Sequence, residues 1–429
     1  MSQFAKILVF LLGFASFSFA QGPVSVYGAL RACNIGGKGR ICGSGAYANT
    51  AVQLKGISLG WSNTGWDSDK FFNANTVNAL VDGWKSEIIR VPIGYSENGG
   101  YKDDRTNLYR VKAAIAAALA KDVYVIIDWH SHNANNELAV ATQFFEEMIE
   151  TYGANNDHVI YEIFNEPKQI SWQVIKTYAD NIISAIRSKG ANNLILVGTP
   201  EWSSRPDRAD GNYLSDRNVA YVFHFYAAYH KLNTYSSGIT TVLNAGKSVF
   251  VSEYGTVSNG GDGAHDPAST NAWYQFMDGN GISSCAWQVS YKNETSALFV
   301  TTFKTPNSSS LEDFTNKSNM KESGQFIYDM LISYAYSAPW RSVDVSPISM
   351  LPQTALSNSA MAFKNGINLT VKSNAVVEVF GLKGNSVRKF SFANGVYAVS
   401  FSDLPMGMYI ARVSFGSEKK ILKVSVNKE

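Results

Sequence analysis

The stretch Val159–Pro167 reads V-I-Y-E-I-F-N-E-P, and the organisation of the chain follows from it. An apolar, partly β-branched run ends abruptly in Asn165, Glu166 and Pro167. Strands buried on both faces of a parallel sheet look like this: continuous apolar residues, then polar groups where the strand leaves the sheet. Proline has no amide hydrogen to give to a ladder, so Pro167 marks the strand's end and the start of a loop. A carboxylate placed there sits at the mouth of the fold on a rigid support. The same grammar returns at Ser248–Gly255, S-V-F-V-S-E-Y-G, where a second short run delivers Glu253.

Outward from these two segments the chain alternates. Strand-like runs fall at Val52–Ser58, Glu87–Val91, Asp122–Asp128, Val159–Phe164, Leu194–Val197, Val219–Phe225, Ser248–Ser252 and Ile282–Trp287. Helical spacing separates or follows them at Thr76–Trp84, Leu108–Ala120, Ala139–Tyr152, Trp172–Ser188, Gly238–Ala245, Ser269–Asp278 and Ser323–Tyr336. Strands separated by helices need crossover connections and are therefore parallel. The economical architecture is an α/β fold of the (β/α)₈ TIM-barrel type over residues 21–337. Such barrels carry their chemistry at the C-terminal ends of the strands. A polar or aromatic residue stands near the end of every strand: Trp61, Arg90, His130 after Trp129, Glu166 after Asn165, Trp202 after Glu201, His224 with Tyr226, Glu253 before Tyr254, and Trp287. Core packing alone does not explain such a ring.

The flanks read differently. Residues 1–20 carry Lys6, an apolar run Ile7–Phe19 and small residues at Ser18 and Ala20, which predicts a secretory signal peptide. Gly22–Asn49 reads as an irregular lead-in. Residues 338–358, with Pro339, Pro347 and Pro352, read as a linker. Beyond it, residues 359–429 hold short alternating runs at Ile367–Val371, Val376–Phe380, Val387–Phe392, Tyr397–Phe401, Tyr409–Val413 and Ile421–Val426. Turn signals at Lys383-Gly384-Asn385, Asn394-Gly395 and Phe415-Gly416-Ser417 separate several of them, so this module is expected to be a small all-β sandwich.

Composition narrows the function. A net charge of +2 gives no electrostatic case for nucleic acid or an anionic membrane. The apolar run Ile7–Phe19 is too short for a membrane span, and no other stretch reaches the ~18 apolar residues required. Aromatics make up 13% of the chain, with 9 Trp and 22 Tyr, a supply of the rings on which sugars stack. Of the cysteines, Cys33 and Cys42 could close a short loop across a Gly-rich segment in an exported protein, and Cys285 reads as an inert buried thiol. No pair has zinc spacing, so neither a metal nor a cofactor is expected.

Each strand-end glutamate alone could cap a helix or pair with an arginine. Two of them on two strand ends are the arrangement that glycoside hydrolysis needs. At this point eight segments carry a family resemblance: L-K-G-I-S (54–58), I-I-R-V-P (88–92), D-W-H (128–130), Y-E-I-F-N-E-P (161–167), G-T-P-E-W-S (198–203), F-H-F-Y (223–226), V-S-E-Y-G (251–255) and A-W-Q-V-S-Y-K-N-E (286–294). Taken in order, they resemble glycoside hydrolase family 5, in its bacterial endo-β-1,4-glucanase branch. The resemblance implies Glu166 as general acid/base and Glu253 as nucleophile of a retaining double displacement. Glu166 should then be raised in pKa by the Glu253 charge and by partial burial, with Arg90 holding Glu253 ionised. Substrate contacts are implied for Arg90, Asn165, His130, His224, Tyr226 and Trp287, and more weakly for Trp202, Trp61 and Lys292. Asn165 would bind the sugar 2-hydroxyl, Tyr226 would orient Glu253, and Trp287 would floor the sugar before the cleaved bond.

Gln288, where the family often has a small residue, and the loop Ser131–Asn136 depart from the pattern. The segments L-P-M-G-M-Y-I-A-R-V (404–413) and K-K-I-L-K-V (419–424) resemble type IX secretion sorting domains. The expectation is a secreted or surface-attached monomer that cleaves internal bonds of cellulose or a related β-glucan and engages export machinery through its C-terminal module. Mannan, xylan or xyloglucan would serve the same mechanism, and a catalytically inactive glycan-binding barrel is the non-enzymatic alternative.

Overall fold

The computed structural model describes residues 22–335 and 359–426, apart from residues 364–365, 372–373, 383, 393–394 and 402–403. The expected signal peptide, the linker and the turn residues Lys383 and Asn394 lie outside the described residues. The chain begins with a short helix, Pro23–Tyr27, and an antiparallel hairpin of β1 (Arg31–Ile35) and β2 (Lys38–Cys42). This corrects the expectation of an irregular lead-in. Gly36 and Gly37 take positive φ, 59° and 83°, which a two-residue hairpin turn of this hand requires. Cys33 and Cys42 are joined as a disulfide across the hairpin. Gly39 packs so closely on the backbone at Lys247 that a Cβ there would meet the Lys247 carbonyl oxygen at 1.9 Å.

Eight parallel strands then close a barrel: β3 (Lys55–Leu59), β4 (Ile88–Gly94), β5 (Tyr124–His130), β6 (Val159–Glu162), β7 (Ile195–Val197), β8 (Val219–Tyr226), β9 (Ser248–Gly255) and β10 (Ser284–Val289), with β10 pairing β3. The first begins later than the run Val52–Ser58 suggested, because the Val52 amide is already bonded to Ile41 of the hairpin. The helix expected at Gly238–Ala245 starts earlier, at Leu232. Packing of Ile239, Val242 and Leu243 on the barrel overrides the weak helix propensity of its Ser, Thr and Gly residues.

All residues of β4, β5, β8 and β9 are buried, yet they still alternate. Ile89, Val91, Val125 and Ile127 face the helices, whereas Ile88, Tyr124, Ile126, Ile160, Val222 and Phe250 fill the lower lumen. Tyr27, Leu30 and Ile41 from the hairpin region join that lower layer. Higher in the lumen the inward positions become Arg90, Asp128 and Glu162, all fully buried. Among the described residues no helix is long and apolar enough to cross a membrane.

The C-terminal module forms two antiparallel sheets. One has the order β11 (Ser359–Phe363), β12 (Gly366–Val371) and β15 (Gly395–Ser400); the other joins β14 (Ser386–Phe392), β13 (Ala375–Gly381), β16 (Gly407–Phe415) and β17 (Glu418–Val426). Ile367, Leu369, Val377, Val379, Ala411, Val413 and Val424 make its core.

Candidate active site

Arg90 organises the upper lumen. Its Nε and Nη2 donate to the two oxygens of Glu162 (2.8 and 3.2 Å), Nη1 donates to Glu253 Oε2 (3.0 Å), and Nη2 also reaches Asn165 Oδ1 (2.6 Å) and Asp128 Oδ2 (3.0 Å). A guanidinium is the one side chain whose planar donor fork can serve carboxylates on several strands at once. Arg90 is 0% exposed, so it lies beneath the cleft and not on its surface.

Glu253 hangs from β9 at a register shift. Val222 pairs with Phe250 but His224 pairs with Glu253, so β9 carries one extra residue opposite β8. Strand alternation would turn Ser252 and Glu253 to opposite faces; the bulge lets both point into the lumen. Tyr226 Oη donates to Glu253 Oε1 at 2.8 Å, opposite the Arg90 contact. Glu166 follows β6 and lies against His224, whose Nδ1 is 3.0 Å from Glu166 Oε1. His132 Nδ1 is 3.6 Å from the other Glu166 oxygen. A ligand atom of each of Glu166, His224 and Glu253 falls within 4.8 Å of the others.

The electrostatics differ from the expectation. Burial alone would raise Glu166, but the hydrogen bond and charge of His224 outweigh it and hold this carboxyl below the usual range. Glu253 is the raised member, by burial first and then by the charge of Glu166. His224 is pushed up to about 9: burial opposes this, but the charge of Glu253, the Glu162 carboxylate 3.7 Å from Nε2 and the hydrogen bond to Glu166 prevail. Burial and the Arg90 charge hold His130 far below its usual value, so it is a neutral ring, with Nδ1 2.7 Å from Asp128 Oδ2. Burial raises that Asp128 carboxyl far above its usual range, against the pull of Arg90.

Around this centre the cleft has two compartments. One, of about 300 Å³, is lined by Trp61, His130, Glu253, Trp287, Lys292 and Glu294 among others. Trp287 lies parallel to His130 at 5.3 Å, and Trp61 meets the same imidazole edge-on at 4.2 Å. Lys292 pairs with Glu294 at 2.7 Å, and Gln288 donates to the same Glu294 at 2.7 Å. Gln288, a departure from the family pattern, thus holds the partner of Lys292. The second compartment, about 370 Å³, opens on the other side of Glu166 between Trp202, Tyr229, His230 and Tyr235.

Trp202 is 43% exposed and belongs to an unusual turn: Glu201, Trp202 and Ser203 all have left-handed φ, 59°, 55° and 57°. Such a conformation costs an L-residue roughly 1–2 kcal/mol, and bonds to the Asn165 loop hold it. Glu201 N donates to Lys168 O (3.2 Å), Trp202 N to Pro167 O (2.8 Å) and Ser203 Oγ to Asn165 O (2.7 Å).

The structure therefore gathers Glu166, Glu253, Asn165, His130, His224, Tyr226, Trp287, Trp202, Trp61 and Lys292 around one cleft, with Arg90 beneath. Both ring nitrogens of His224 are engaged, by Glu166 and by Ser252 at 3.0 Å each, so in this structure the ring is held by protein groups on both sides. Asp128, His132, Glu162 and Ser252 were not singled out from the sequence. Glu162 was legible only as a charge interrupting the apolar run before Asn165.

Residues 46–293 match the cellulase family, glycosyl hydrolase family 5. Residues 363–427 match a secretion system C-terminal sorting domain, which assigns the chain to export, into the medium or onto the cell surface. Endoglucanase Z of Dickeya dadantii is 41% identical over 290 residues, 67% of this chain and 64% of that protein. Cellulase CelDZ1 of a Thermoanaerobacterium species is 34% identical over 302 residues, 65% of this chain and 75% of that one. This chain thus spans somewhat less than two thirds of Endoglucanase Z. Among solved structures, the catalytic domain of Thermobifida fusca endoglucanase Cel5A is 30% identical with a TM-score of 0.64, covering 72% of this chain and 99% of that domain. A cellulase of the same family from an Icelandic hot spring isolate is 30% identical with a TM-score of 0.66, covering 75% and 98%. With eight strands closing one barrel and two glutamates meeting at its mouth, the chain belongs to glycosyl hydrolase family 5.

Proposed function

We propose that this chain is a secreted endo-β-1,4-glucanase that hydrolyses internal bonds of cellulose or related β-glucans with retention. The observation that carries the reading is the pair Glu166 and Glu253, with oxygens within 4.8 Å of each other and with different partners. Retention calls for carboxyls about 5–5.5 Å apart, whereas inversion needs room for a water between them. Arg90 and Tyr226 clamp Glu253, which suits an ionised nucleophile; His224 faces Glu166, which suits a proton donor and acceptor.

In the first half-reaction Glu253 attacks the anomeric carbon, the glycosidic C–O bond breaks, and the leaving oxygen takes a proton through Glu166. In the second, Glu166 accepts a proton from water, which displaces Glu253 and restores the site. Trp287, Trp61 and Lys292 form the glycone side, with Trp202 on the leaving-group side, and Asn165, oriented by Arg90, meets the 2-hydroxyl. The relatives named endoglucanase support the choice of β-glucan. The layout that goes with it is a signal peptide 1–20, a catalytic barrel 21–337, a linker 338–358 and a sorting module 359–429 read by type IX export machinery, the enzyme acting as a monomer without metal or cofactor.

The test is hydrolysis of carboxymethyl-cellulose by wild type and Glu166→Ala, following viscosity against reducing ends, with proton NMR of the newborn anomer. A fast viscosity drop, a β-anomer product and loss of both in the variant are expected. Turnover confined to mannan or xylan replaces the substrate; an α-anomer product refutes retention.

A further inference from the structure

Beneath the catalytic pair runs a buried chain of hydrogen bonds whose proton count can be read from geometry. Ser252 Oγ lies 2.7 Å from Glu162 Oε1 and 3.0 Å from His224 Nε2. Glu162 is an acceptor: both its oxygens already receive Arg90 N–H groups, and it has no exposure to water. A hydroxyl has one hydrogen to give. If Ser252 gave it to His224, two bare oxygens would face each other at 2.7 Å inside the protein. The hydrogen therefore goes to Glu162, and the serine lone pair receives the hydrogen on His224 Nε2. With Nε2 committed, a single proton remains on the line between His224 Nδ1 and Glu166 Oε1, 3.0 Å apart.

We infer that Ser252 and Glu162 are positioning residues that lock His224 in its Nε2–H form, so that the proton shared between His224 Nδ1 and Glu166 is the one delivered to the leaving group. The inference rests on Glu166 being the acid/base. Protons balance over the cycle. As the glycosidic bond breaks, the shared proton leaves through Glu166 and bonds to the leaving oxygen, and a neutral imidazole beside a carboxylate remains. When water attacks, its proton returns to the same pair. The arrangement also accounts for a general acid whose own carboxyl rests in a low range: the proton it spends is kept on the neighbouring ring. Ser252 and Glu162 touch no substrate; both are fully buried. The bulge in β9 is what brings Ser252 inward beside Glu253.

Nitrogen-15 NMR of the full chain labelled at histidine tests the lock directly, with His224 assigned by comparison with His224→Asn. The wild type should carry a hydrogen on Nε2 throughout its titration, and Ser252→Ala should show a mixture of both neutral forms. A bare Nε2 in the wild type overturns the inference whatever the activity, and this measurement needs no variant of Ser252 to fold.

Kinetics supply a second readout. Ser252→Ala should lose about tenfold or more in kcat/KM on cellopentaose, whose leaving group needs a proton. It should lose less than about threefold on 2,4-dinitrophenyl β-cellobioside, whose leaving group does not. Ser252→Thr, which keeps the hydroxyl, should restore the first rate. Equal losses on both substrates, or none, overturn the positioning role. Failure of the acid/base assignment itself is distinguishable, because Glu166→Gln would then show no dependence on the leaving group.

Discussion

Replacing Tyr226 by Phe removes one oxygen from the site and leaves the ring that packs beside Trp287. The lost bond is the 2.8 Å contact from the phenol to Glu253 Oε1; Arg90 still holds Oε2 at 3.0 Å. A hydrogen bond to a charged group contributes about 1.5–3 kcal/mol. One pKa unit corresponds to about 1.4 kcal/mol. The bond favours ionised Glu253, so its deletion favours the protonated form and raises the pKa by about one to two units. Attack requires the ionised form, and kcat/KM reports ionisation in the free enzyme. The acid limb of the kcat/KM profile on cellotetraose should therefore move to higher pH by that amount. The moved value belongs to the Glu166–Glu253 pair, since the two carboxyls titrate together. Well above the limb, the variant should regain much of its activity. An acid limb that stays in place, or moves to lower pH, in a variant with unchanged circular dichroism would refute the reasoning.

Three further outcomes are expected. Arg90→Lys keeps the charge but not the fork that binds Glu162, Glu253 and Asn165; breaking such a buried network should lower unfolding free energy in urea by about 3–5 kcal/mol and suppress turnover. His224 has a folded pKa of about 9 against an ordinary 6.5, so its contribution to stability is complete below pH 6.5 and disappears as pH rises through about 9. Melting curves across that window should fall in the wild type and flatten in His224→Asn. Replacing Cys33 and Cys42 together by Ser opens a loop of sequence separation 9, which should cost about 2–3 kcal/mol of stability by denaturant titration. The change lies at the end of the barrel away from Glu166, so turnover at room temperature should persist.

The barrel was legible because its strands are continuous apolar runs, each closing on a polar or aromatic residue. That grammar follows from burial on both faces and from chemistry at one end. The hairpin at Arg31–Cys42 was missed although Gly36-Gly37 is a turn signal, since its strands hold few apolar residues and it is fastened from outside. The Cys33–Cys42 pairing could be read from the spacing, but the Asn218 amide oxygen that receives Ala32 N–H and the close approach at Lys247 come from contacts invisible in a linear reading. Within the site the two glutamates could be named but not their protonation. That depends on His224 reaching Glu166 across 58 positions of sequence. Ser252 could not be singled out either, because strict alternation would have turned it away from Glu253 until the bulge shifted the register.

The left-handed turn at Glu201–Ser203 holds Trp202 by its main chain. Its amide and its neighbours' polar atoms are fastened to Pro167, Lys168 and Asn165, whereas the indole itself is partly bare to solvent. Main-chain bonds are indifferent to the side chain they carry. Position 202 therefore behaves as a socket into which a different flat ring can be fitted while the Asn165–Lys168 loop stays where it is. Under the function proposed above, preference for the departing part of the polysaccharide can then drift from one descendant of this protein to another, or be redesigned, without moving Glu166.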